Sequence, residues 1–166
     1  MLAVWRRRYE RLLEWVAIVL MAALALEVTV GVVFRYAGHS LVWYDEVATI
    51  LLAWVTFYGS ALAVLKHAHM GVPEIVRMLP PGLRVGTMVL AQLCTLGFFV
   101  LLAWLGYVVV EVLAGDRLVS LPEVSVAYAQ SVIPVSALLI IVAQLLVFPE
   151  LLREARAEAG RVGGHA

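Results

Sequence analysis

The chain has 166 residues, of which 64% are hydrophobic and 14% charged, and its mean hydropathy is +0.98. So apolar a chain exceeds what a soluble domain of this size can hide from water. Twelve basic residues cancel twelve acidic ones, so no net field invites nucleic acid, and the single cysteine, Cys94, permits no internal disulfide or thiolate cluster.

The first element begins with a charged, helix-prone stretch, WRRRYERLLE, at residues 5–14. It reads as an anchor whose arginines meet lipid phosphates and whose helix runs on into the first apolar run. That run covers residues 15–34 and is interrupted only by Glu27. A basic start before an apolar stretch also resembles a secretory leader, but here the apolar stretch continues beyond Glu27 to Phe34, as a spanning helix does. Ala23, Glu27 and Gly31 are four residues apart, which places an acid on a small-residue stripe where another helix can approach. Two readings of Glu27 stand open: a proton or cation site, and a packing carboxyl at a helix interface.

Three further uncharged runs follow, at residues 47–65, 85–110 and 124–149. A hydrocarbon core about 30 Å thick needs roughly 20 residues of helix, so the sequence predicts four spans. Their expected bounds are about 13–34, 45–65, 85–110 and 124–148, in one membrane domain covering residues 1–166. The fold class is therefore all-α, membrane-embedded and four-helical.

Between the first two spans lies FRYAGHSLVWYDEVATILLAW, residues 34–54. Asp45 and Glu46 fall where a helix N-terminus favours negative charge, with Ser40 as a candidate cap. Arg35 ends the first span on the same side, so an Arg35–Glu46 ion pair is expected to close the hairpin. Within the second span, Thr56/Ser60 and Gly59/Ala63 form hydroxyl and small-residue stripes.

Residues 66–84 are punctuated by Gly71, Pro73, Pro80, Pro81 and Gly82. PEIVRML within them is too short to span and suits a short amphipathic helix on the inner surface. His67 and His69 lie two apart, which does not place them on one helix face, and no third ligand is near. No metal site is expected there. Gly97 and Gly106 mark the third span as a packing surface, and EVLAGDRLVSLPE is a short loop after it. Pro134 removes a backbone donor inside the fourth span, so a kink is expected there. Residues 153–166 read as a helix end and tail.

Basic residues set the orientation. With the N-terminus in the cytoplasm, ten of the twelve fall on inner segments, and only Arg35 and Arg117 fall outside. That asymmetry predicts both termini on the cytoplasmic side of the membrane. No span contains a histidine, which excludes bis-histidine haem, and no catalytic triad, nucleotide loop or metal motif occurs. The chain is not expected to be an enzyme or to hold a cofactor.

The ordered set Arg35-Tyr36, Gly38, Ser40, Trp43-x-x-Glu46, Trp54, Phe57-x-Gly59-x-Ala61, His69, the PEIVRMLP segment, Pro122 and Pro134 resembles the small, DctQ-like membrane subunit of tripartite ATP-independent periplasmic (TRAP) transporters. The resemblance extends over nearly the whole chain. It implies a non-catalytic subunit that scaffolds a large membrane subunit, with a periplasmic binding protein delivering an organic anion, often a carboxylate. Coupling to sodium or protons is then expected in the large subunit. On this resemblance Arg35, Tyr36, Trp43, Glu46, Trp54, Gly59, His69 and Pro134 are candidate structural or interface residues. A different class of protein, a small multidrug-type proton antiporter using Glu27, is the alternative. Its dual insertion conflicts with the strong charge bias.

Overall fold

The computed structural model describes residues 2–66 and 81–163. Helix α1 covers Leu2–Tyr36, α2 Tyr44–Leu65 and α3 Pro81–Val112. A 3-10 turn, Leu113–Gly115, leads into an irregular loop, followed by a short α4, Val126–Gln130, and a long α5, Val132–Gly163. No strand forms among the described residues; an isolated bridge joins Arg117 to Ser125. Among the described residues four stretches are long and apolar enough to cross a bilayer: Trp5–Tyr36, Tyr44–Leu65, Val85–Gly115 and Val126–Pro149. The expected inner-surface helix, with His67 and His69, lies outside the described residues.

The helices are arranged as a row: α1 packs on α2, α2 on α5, and α5 on α3. Burial follows that order. In the fourth span's most apolar stretch 39% of residues are buried, against 6% in the first and third spans. The fourth span is thus the centre of the row, and α1 and α3 are its edges. Such an arrangement would be costly in water, but in a bilayer lipid or protein covers the exposed apolar faces.

The end carrying the N-terminus, here termed the base, holds the main core. Leu13, Ala61, Val64, Leu65, Ile140, Ala143 and Val147 are buried together, with Tyr9, Tyr58 and Phe99 against them. Polar pins join the same end. Tyr9 donates its hydroxyl to the Leu139 carbonyl at 2.7 Å, and Arg6 donates to the Leu65 carbonyl at 3.1 Å. Lys66 pairs with Glu14 at 2.6 Å. Hydrogen bonding and charge from Glu14 raise the Lys66 pKa above its ordinary value. Deeper in the bundle, Gln92 reaches Gln144 at 3.3 Å and links α3 to α5.

The opposite end, the apex, carries the loops at 37–43 and 113–125. Helix α1 stops there through a left-handed glycine, Gly38, at φ 79°. His39 N–H donates to the Phe34 carbonyl at 3.0 Å and Gly38 N–H to the Arg35 carbonyl at 3.2 Å. This paired pattern satisfies the last carbonyls of the helix and needs a residue without Cβ at the turn. Helix α2 then starts later than the Ser40 expectation. Trp43 occupies its N-cap position without a side-chain cap bond, and Asp45 and Glu46 lie in the first turn.

Candidate functional site

The apex is where the charged opening hairpin meets the rest of the molecule. Glu46, in the first turn of α2, extends to the loop after α3. Its carboxylate accepts from the backbone N–H of Val119 at 3.2 Å and of Ser120 at 2.9 Å, and from the Ser120 hydroxyl. Loop N–H groups facing a carboxylate give charge-assisted bonds, stronger than neutral ones. The loop is shaped to present them. Leu118 N–H bonds the Val124 carbonyl at 3.0 Å, Val126 N–H bonds the Asp116 carbonyl at 3.0 Å, and Arg117 donates to the Glu123 carbonyl at 3.3 Å. Ser125 caps α4 by accepting from the Ala127 N–H and donates to the Ala114 carbonyl.

This clasp replaces the expected Arg35–Glu46 pair. Arg35 is exposed at the end of α1, and among the described residues no ion pair joins it to Glu46. The physical reason is reach and competition. Glu46 already faces a ready set of donors across the apex, while Arg35 can stay hydrated at the interface.

A second tie lies further into the span. Trp54 donates its indole N–H to the Ala129 carbonyl at 3.2 Å, joining α2 to α4. That carbonyl lies beside the break between α4 and α5 at Ser131, whose hydroxyl donates to the Tyr128 carbonyl at 2.7 Å. Pro134, one turn further on, has no N–H to offer the Gln130 carbonyl, so the expected irregularity falls just before it. Pro134 also meets α3. A Cβ on Gly106 would lie 3.0 Å from Pro134 Cδ, 3.1 Å from its backbone nitrogen and 2.9 Å from Ile133 Cγ2. Only a glycine allows that approach.

The remaining candidates are placed as follows. Tyr36 is 90% exposed, and Trp43 is partly exposed beside the clasp. Gly59 has open space where a Cβ would project, so among the described residues no helix packs against it. Thr56 and Ser60 each donate to the carbonyl four residues earlier, which satisfies them within α2. His69 lies outside the described residues. On the Glu27 stripe, Gly31 lies directly against the Tyr44 ring, with no room for a Cβ. Glu27 itself has both carboxyl oxygens closed off from solvent and no hydrogen-bond partner among the described residues. Sequence reasoning missed Val119, Ser120 and Tyr9 as tying residues, because each acts on a partner distant in the chain.

No group of three or more metal-ligating side chains occurs among the described residues. The site consists of carboxylate, indole, glycine and proline contacts that hold helices together, and it defines a multi-pass membrane protein built for packing. Residues 24–154 match the DctQ component of tripartite ATP-independent periplasmic transporters, so the chain belongs to that family. A relative from Vibrio cholerae, a C4-dicarboxylate TRAP transporter small permease protein, is 29% identical over 90 residues, or 54% of this chain. The matched part covers 39% of that relative's length. Family membership gives the antiporter expectation no support.

Proposed function

We propose that this chain is the non-catalytic small membrane subunit of a TRAP transporter. It scaffolds a large membrane subunit that carries out gradient-driven uptake of an organic anion. A periplasmic binding protein delivers that anion, and the sodium or proton coupling resides in the large subunit. The observation that carries this reading is the open row. Edge helices α1 and α3 are almost unburied, yet the chain spends glycine and polar contacts on holding the row rigid. A rigid slab with free apolar faces suits a static support for a larger membrane protein. The apex clasp would then face the periplasm, with both termini in the cytoplasm of the cell membrane, in line with the charge bias. The name of the Vibrio cholerae relative favours a dicarboxylate as cargo.

The test is reconstitution. Liposomes with the large subunit and the binding protein should take up a C4-dicarboxylate down an imposed gradient only when this chain is also present. Equal uptake without it would refute the scaffold role.

A further inference from the structure

At the base, α1 sorts its charges onto two faces. Glu14 pairs with Lys66, and Glu10 also acts on Lys66 electrostatically. Arg6 and Tyr9 donate into the bundle on that side, around the fully buried Leu13. At roughly 100° per residue, Arg8 and Arg11 fall on the other side of the helix, with Arg7 at the edge between the two faces. All three are exposed, and among the described residues none pairs with a carboxylate. The acids that could have neutralised them are turned toward Lys66.

The same outward face continues into the bilayer. Trp15 is 67% exposed one turn beyond Arg11, and Ile18 and Val19 follow on that face, also exposed. Because α1 is an edge of the row, no other helix among the described residues covers the strip. Arginine guanidinium groups match phosphate oxygens in a bidentate fork, and tryptophan favours the headgroup level. From Arg11 to Val19 the helix rises about 12 Å, so the strip runs from headgroup depth to acyl-chain depth.

We propose that this face is a binding site for an anionic phospholipid, with Arg7, Arg8 and Arg11 on the phosphate and Trp15, Ile18 and Val19 along the acyl chains. The order of the strip, charge above and apolar below, is that of a lipid. The inference stands apart from the transport role.

The test uses the full chain in neutral detergent, with dioleoylphosphatidylglycerol or dioleoylphosphatidylcholine added and retained lipid counted by native mass spectrometry. Each basic residue near an anionic surface gives on the order of a fivefold preference, so phosphatidylglycerol should be retained roughly tenfold or more over phosphatidylcholine. The combined Arg7→Gln, Arg8→Gln and Arg11→Gln variant should lose that preference, while Arg117→Gln on the apex loop should keep it. Since fewer basic residues can disturb insertion, the unaltered chain is also tested with a headgroup-diazirine phosphatidylglycerol, whose cross-links should map to residues 5–19. Equal retention of both lipids, or cross-links elsewhere, would overturn the proposal. So would full displacement by millimolar inorganic phosphate, which would mark a soluble-anion site. A triple variant that keeps its lipid preference but loses a co-purifying membrane protein would reassign the face to a protein contact.

Discussion

A carboxylate at the mouth of a membrane helix can be satisfied by a cation or by N–H donors. Glu46 takes the second route, through a loop 74 residues away in sequence. The sequence showed that a charge there needed a partner and offered Arg35 as the nearest one. It carried no spacing rule that could point to Ser120, because loop N–H groups leave no mark on residue identity. By contrast the close contact on the Glu27 stripe was legible, since a glycine at Gly31 announces an approach, and Tyr44 fills it. Replacing Glu46 by alanine should release the amides of Val119 and Ser120, giving faster hydrogen exchange there while α5 stays protected. Glu46→Gln, which keeps one acceptor oxygen, should fall between. Unchanged exchange in Glu46→Ala would show that the loop holds its shape without the clasp.

At the scale of elements, the lengths of the uncharged runs were enough to find four spans, because hydrocarbon thickness sets the length a helix needs. The break in the fourth span was also legible, from Pro134. Its partner was harder to find: Gly106 was visible as a small residue, but only the fold shows that it lies against Pro134. The hydroxyl stripe of Thr56 and Ser60 suggested an interhelical surface and proved to be bonded within its own helix, as such residues often are. The α3–α5 contact gives a sharp prediction. Gly106→Leu must push against the backbone nitrogen of Pro134 as well as a methyl group, so it should cost about 1–3 kcal/mol. Thermal unfolding in detergent should show a lowered midpoint for Gly106→Leu, while Gly97→Leu, where a Cβ meets open space, should stay near the parent value. Equal destabilisation by both would contradict the packing described.

For the whole molecule, composition gave the class and charge bias an expected orientation, but the row could not be read from the sequence. Helix order within a bundle depends on pairwise packing that hydropathy does not encode. Orientation can be checked with single cysteines in a Cys94→Ala background. Val119→Cys at the apex should react with a membrane-impermeant maleimide added outside intact cells, and Arg153→Cys near the base only after the membrane is opened. The reverse pattern would invert the topology.

The row also carries the central claim, because the uncovered apolar faces outside the strip from Arg7 to Val19 call for a large neighbour. The most direct measurement is mild purification of the tagged chain from its native host, with the bound proteins identified and counted by mass spectrometry. The account predicts one large polytopic membrane protein at equal stoichiometry, retained through washing. Recovery of the chain alone, or only as a homodimer, would contradict it.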